Sequence, residues 1–253
     1  MGMTGISLPH IAAIALTFFL AGIVKGVTGM GLPTVAMGLL GTIMPPVAAA
    51  ALLVVPSFVT NIWQLFAGPR FAALAARLWP MLFGIVAGTV AGSGIIAGGN
   101  AGWTAMALGA ALSIYAAMGL FSWHWQVTAR GERKLSLIVG LTTGLVTGGT
   151  GVFVIPAVPY LQALNLYRDD LIQALGLSFT VSTIALGAGL ASRGAFHAGD
   201  VGASALAVLP ALLGMWAGQR IRQRISLVGF RRWFLICLLL LGLELFLRPF
   251  VLL

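Results

Sequence analysis

Gly22-Ile23-Val24-Lys25-Gly26-Val27-Thr28-Gly29 and Gly144-Leu145-Val146-Thr147-Gly148-Gly149-Thr150-Gly151 are two copies of one phrase, G-x-V-x-G-x-T-G, set 122 positions apart. Each lies inside a long apolar stretch. Glycine weakens a helix by about 1 kcal/mol relative to alanine and permits sharp turns. The doubled cluster predicts two helix breaks related by internal symmetry. Secondary transporters build their substrate sites from paired breaks of this kind. The competing reading is packing, because glycines four apart let membrane helices approach closely.

The surrounding sequence fixes the class. With 60% hydrophobic and 8% charged residues in a chain of 253, an all-α polytopic membrane protein is expected. Long unbroken apolar runs argue against a barrel. The net charge of +9 sits in short loops between apolar segments, which is the positive-inside pattern and not a nucleic-acid footprint. The bilayer is therefore the expected partner, in a bacterial inner membrane. The single Cys237 excludes an internal disulfide and a dithiol carrier. With no basic residue before Lys25, a cleaved signal peptide is not expected. With no soluble module for ATP hydrolysis, energy must come from gradients or a partner chain. His10, His124 and His197 fall near segment ends or in loops, so neither a metal nor a cofactor is expected. No nucleophile–base constellation suggests an enzyme.

Apolar segments run over 8–44, 46–68, 79–98, 102–123, 135–164, 170–191, 200–219 and 233–252. Trp63, Trp79, Trp103, Trp123, Trp125, Trp216 and Trp233 lie near their ends, as an aromatic belt. Residues 8–44 are too long for one crossing of a ~30 Å core. Loop charges decide the path of 135–164. With one crossing, the basic residues divide evenly between the two sides. With an even number, Arg70, Arg77, Arg130, Arg133, Lys134, Arg168, Arg220, Arg222, Arg224, Arg231 and Arg232 share one side, against Arg193 and Arg248. The positive-inside rule selects the second arrangement. So 135–164 is a hairpin, re-entrant or of two short crossings, and the repeat extends this to 8–44. Each half is then a hairpin plus three spanning helices, in inverted orientation: residues 1–125, a cytoplasmic linker 126–134, and 135–253. Both termini are expected outside the cytoplasm. Two more blocks repeat in order: Pro80-x3-Gly84-x3-Gly88 with Pro210-x3-Gly214-x3-Gly218, and Ala51 to Thr60 with Ala174 to Thr183.

The hairpin tips are the candidate site. Pro33 suits a first helical turn, so the second arm of hairpin one should start at 30–33, and that of hairpin two at 151–153. Helix starts expose backbone N–H groups that favour anions. The candidate binding residues are Lys25, Gly26, Thr28, Gly29 and Gly31 at the first tip, and Thr147, Gly148, Gly149, Thr150 and Gly151 at the second. Thr28 and Thr150 would cap the arms or donate to a ligand oxygen. A central Lys25 needs a partner or ligand; near the cytoplasmic turn it would be an ordinary topology marker. The third block adds Thr60, Asn61 and Thr183, with Ser57, Gln64, Gln173, Ser178, Thr180 and Ser182, as either helix glue or pathway lining. Glu244 pairs with Arg248 at i,i+4 or couples protons. The scarcity of intramembrane carboxylates points to an anion.

Gly22 through Pro33, Gly144 through Pro156 and the Pro-x3-Gly-x3-Gly blocks resemble the sulfite exporter TauE/SafE family, also called the toluene sulfonate uptake permease family. The resemblance spans almost the whole chain. Met30 departs from it by separating Gly29 from Gly31, where the family often has adjacent glycines. The resemblance implies transport of sulfite, thiosulfate or organosulfonates. Three functions remain open on the residues: a secondary carrier working by alternating access, with a proton as the candidate coupling ion; a passive anion channel; and a membrane accessory protein. Homo-oligomerisation is also open.

Overall fold

The computed structural model describes residues 8–66, 68–121, 127 and 129–251. Trp123, His124 and Trp125 lie outside the described residues. The chain is all-helical there: α1 (Leu8–Thr28), α2 (Leu32–Ile43), α3 (Pro46–Leu65), α4 (Phe71–Gly98), α5 (Ala101–Leu120), α6 (Ala129–Thr150), α7 (Ala157–Ala163), α8 (Arg168–Ala191), α9 (Ala198–Leu206), α10 (Val208–Arg222) and α11 (Leu227–Val251). Seven runs among the described residues are long and apolar enough to cross a membrane: α1, α3, α4, α5, α8, Val201–Arg222 across α9 and α10, and α11. The protein is a polytopic helical membrane protein.

Both glycine phrases end a helix, but the next helix starts at a different distance from each. After α1, Gly29 and Gly31 take φ of 79° and 98°, and α2 starts at Leu32 with Pro33 in its first turn. This is the expected start. After α6, Gly151 takes φ of 73°, but α7 begins only at Ala157 and not at 151–153. The cause lies in Val152-Phe153-Val154-Ile155-Pro156. β-Branched residues disfavour helix, and a residue before proline is pushed out of the α region. Two other boundaries move. The helix expected from 79 begins at Phe71, so Trp79 lies two turns inside α4, and α6 begins at Ala129 within the expected linker 126–134. Pro210 explains the break between α9 and α10, since it offers no N–H to the Leu206 carbonyl.

The helices pair across the chain: α1 on α10, α6 on α4, α3 on α8, and α5 on α11. Glycines set the first two contacts. A Cβ on Gly22 or Gly26 would strike the backbone of Ala211, Met215 or Gly218, and one on Gly144 or Gly148 the backbone of Ile85, Thr89 or Ser93. The first two glycines of each phrase are therefore packing glycines, and the last is the break. The glycines of α4 and α10 meet their partner helices at matching positions of the two phrases. Gly214 sits on Phe19 and Ile23, while Gly88 sits on Leu141 and Leu145, the same positions around the second phrase. By the positions they meet, Gly88-x3-Gly92 matches Gly214-x3-Gly218, one helical turn from the pairing that Pro80 and Pro210 suggest. Gly84, Gly88 and Gly92 line one face of α4.

Polar contacts gather the charged loops at one end. Arg70 pairs with Asp170 at 2.9 Å, and Arg77 with Glu132 at 2.6 Å. Gln173 accepts from Arg70 N at 3.0 Å and donates to Leu65 O at 2.8 Å. Elsewhere Glu244 and Arg248 lie 3.9 Å apart as the expected i,i+4 pair.

Candidate functional site

Lys25 is buried in the bundle, 3% exposed, on the last turn of α1. Its ammonium donates to Thr60 Oγ1 at 3.2 Å and to Asn61 Oδ1. Asn61 Nδ2 donates in turn to Thr183 Oγ1 at 3.3 Å, and Thr183 Oγ1 donates to Phe179 O at 2.7 Å. Thr60, Asn61 and Thr183 are fully buried. Four of the residues read from the sequence thus meet where α1, α3 and α8 converge. Every oxygen that Lys25 reaches is neutral. A buried cation without a carboxylate partner is costly in a membrane interior and is suited to an anionic ligand.

The hydroxyls of Thr28 and Thr150 do something other than cap the following arms. Thr28 Oγ1 donates back to Val24 O at 2.8 Å and accepts from Met30 N at 3.2 Å. Thr150 Oγ1 donates to Val146 O at 2.6 Å and accepts from Val152 N at 3.3 Å. Both close the C-terminal turn of the helix they end, because a threonine hydroxyl reaches the i−4 carbonyl of its own helix more readily than the next element. Thr147, at the position in the second phrase that Lys25 holds in the first, is fully buried and donates to Thr143 O at 2.8 Å and Val152 O at 3.2 Å. Gly26 and Gly148 face α10 and α4, whereas Gly149 has only Ile95 within 4 Å of a notional Cβ. Gly29 and Gly31 shape the first tip. The thioether of Met37 from α2 lies against Gly151.

Gln64, which the sequence offers only as glue or pathway lining, ties the first tip down. Its Nε2 donates to Gly29 O at 2.9 Å and to Ile172 O at 3.1 Å. Its position three residues after Asn61 places it on the same helix face, which is the available signal for it. Ser57 lies four residues before Asn61, and Ser178 four before Ser182. All three serine hydroxyls, with Thr34 Oγ1 and Gln64 Oε1, are buried without a protein hydrogen-bond partner. Buried hydroxyls left unpaired are costly. Donors of this kind on α3 and α8 suit a polar ligand passing between the two helices. Thr180 instead donates to Gly176 O at 2.7 Å, within its own helix.

A bundle of membrane-crossing helices with a buried lysine held by neutral oxygens fits a membrane transporter. Residues 14–245 match the sulfite exporter TauE/SafE family. The chain belongs to this family of transporters, which are not enzymes. Comparison with curated proteins and with solved structures gives no match.

Proposed function

We propose that the protein is a secondary transporter that exports small sulfur-containing anions, such as sulfite, thiosulfate or organosulfonates, by alternating access. The observation that carries this reading is the Lys25 ammonium, buried and held only by neutral oxygens. The anion binds beside Lys25, between the tips formed by Gly29 to Gly31 and Thr150 to Val152. Asn61 and Thr60 orient the ammonium, and the unpaired hydroxyls of Ser57, Ser178 and Ser182 donate to anion oxygens. Thr28, Thr147 and the tip glycines Gly148 and Gly149 shape the walls.

The two halves, 1–125 and 135–253, are an inverted repeat joined through 126–134. Three observations support it: the exchanged pairing of α1 with α10 and α6 with α4, the matching threonine closures at Thr28 and Thr150, and the matching partners of Gly88 and Gly214. Both termini then lie outside the cytoplasm of a bacterial cell, and the end carrying Arg70, Arg77, Arg222 and Arg231 lies inside. The excess of basic residues on that side raises the local anion concentration at the cytoplasmic mouth and so supports export. Rocking of the halves about the central contacts alternates access.

Reconstitution tests this. Proteoliposomes loaded with unlabelled thiosulfate should accumulate labelled thiosulfate by counterflow, with saturation, and sulfite or an organosulfonate should compete. Large currents without counterflow would show a channel. No flux of any of these anions, with or without a proton gradient, would overturn the transport reading.

A further inference from the structure

The site at Lys25 does not account for a second cationic cavity on the other side of the first tip. It has a volume of about 150 Å³ and lies among the end of α1, α5, the last turn of α10 and the first turns of α11. Arg222 and Arg231 line it, with Tyr115, Thr28, Met30 and Phe234. No acidic side chain is among its lining residues. Neither guanidinium makes an ion pair or hydrogen bond within the described residues. Tyr115 is 7% exposed, and the sole partner of its hydroxyl among those residues is the Met30 sulfur at 3.7 Å. Sulfur is a weak acceptor, so this phenol keeps its donor capacity. Thr28 contributes a wall and no donor, because its single proton serves carbonyl oxygens of its own turn.

We infer that this cavity is a second oxyanion site, in which Arg222, Arg231 and Tyr115 bind a sulfonate-, sulfate- or phosphate-like group at the mouth beside the first tip. Two guanidiniums and a buried phenol supply convergent donors to a tetrahedral group of oxygens, the geometry that arginine recognises best. Met30 is the shared element. Its backbone N–H is held by Thr28, its neighbour Gly29 is held by Gln64, and its side chain rests on Tyr115. The residue that interrupts the glycine cluster thus forms the wall between this cavity and the tip. The transport reading is needed only to make the ligand a transported anion; a lipid phosphate has the same chemistry.

Leu227 lines the cavity and is 42% exposed, which makes it a reporter position. A Leu227→Cys variant in a Cys237→Ala background is labelled with a maleimide in phosphatidylcholine vesicles at fixed ionic strength. Sulfate, which is inert to the reagent, replaces chloride. Sulfate should slow labelling, and its half-protection concentration should rise about tenfold in Arg222→Gln or Arg231→Gln and less in Tyr115→Phe. Protection should persist in Lys25→Gln, so the result stands whether or not the protein transports anions. Protection by free sulfate assigns a soluble oxyanion. Protection that appears only when phosphatidylglycerol is added assigns a lipid phosphate to the same site. Equal labelling in chloride, sulfate and phosphatidylglycerol would overturn the inference. So would protection that disappears with Lys25→Gln, because the anion would then be acting from the central site.

Discussion

Asn61 donates its side-chain amide to Thr183 Oγ1 across 122 positions of sequence, at 3.3 Å. The same interval separates Gly22 from Gly144 and Thr28 from Thr150. The block aligned in the sequence sets Thr60, not Asn61, against Thr183, at an interval of 123, so the contact shifts that register by one residue. Under the proposed two-fold relation of the halves, equivalent residues touch only near the axis. The contact between α3 and α8 repeats this logic, since Gly176 packs on Leu65 and Gly187 on Val54, which exchange under the same interval. Lys25 bonds to Asn61 directly, so its charge belongs to this contact and not to a peripheral turn.

Asn61→Asp should therefore separate stability from transport. The substitution keeps size and gives Lys25 a carboxylate. Pairing a previously uncompensated buried cation should stabilise by about 1 kcal/mol or more, a rise of roughly 2–4 °C in thermal midpoint. The same carboxylate should repel an anionic ligand and abolish thiosulfate counterflow. A variant with normal counterflow would remove Lys25 and Asn61 from the binding site.

Lys25→Gln should lower transport efficiency by roughly ten- to a hundredfold, the loss of one charge-assisted hydrogen bond. Thr147→Val changes the residue at the matching position of the second phrase, on α6, whose hydroxyl is already spent on Thr143 and Val152 carbonyls. It should change efficiency much less. Initial rates in proteoliposomes across a range of thiosulfate concentrations read both variants, and equal effects would contradict the assignment.

The glycines should fall into three grades. Gly149→Ala meets only Ile95, at 3.8 Å, and should be neutral. Gly29→Ala meets no atom within 4 Å but must hold φ of 79°, costing about 1–2 kcal/mol. Gly148→Ala pushes a methyl into Ser93 N at 2.5 Å and should prevent α6 from seating on α4. Detergent-solubilised yield and thermal midpoint rank the three, and a well-folded Gly148→Ala would refute the packing role.

These grades also show what the sequence could convey. The first break was legible because Gly29, Gly31 and Pro33 state both an end and a start locally. The second arm of the other hairpin was not, because its start depends on how Pro156 acts on Ile155 and on the β-branched residues before it. Thr60 and Thr183 stood out through the repeat and Asn61 as a polar residue beside them, but the depth of Lys25 depends on which helix faces it, which hydropathy does not carry. The one-turn register of the α4 glycines was ambiguous for the same reason: three glycines at one spacing offer two alignments, and only the partner helix chooses. Arg222, Arg231 and Tyr115 were unreadable as a group, since their cavity draws on four elements far apart in the chain.

Ser204 offers a test of how α3 tolerates its internal Pro56. Proline leaves the Leu52 carbonyl without a helical partner. Ser204 Oγ donates to that carbonyl at 2.7 Å and accepts from Val55 N at 3.1 Å. Ser204→Ala strands both groups and should cost about 2 kcal/mol, or roughly 4–8 °C. Ser57→Ala removes a hydroxyl that has no protein partner, so its midpoint should hold while its transport falls. Thermal unfolding of the two variants beside wild type distinguishes a structural hydroxyl from a ligand-facing one.

The side on which these sites open can be read by labelling. Arg70–Asp170 and Arg77–Glu132 bring the α3–α4 connection, the start of α6 and the start of α8 to one end of the bundle. Single cysteines at Arg133, Tyr167 and Gln223 in a Cys237→Ala background should all resist a membrane-impermeant maleimide added to intact cells and react after lysis. A cysteine at Ser192, beyond the far end of α8, should react in intact cells. Tyr167 is the discriminating position, because it lies after the second hairpin and is 81% exposed. Labelling of Tyr167→Cys from outside would place the start of α6 and the end of α7 on opposite sides of the membrane and end the hairpin, and with it the inverted repeat.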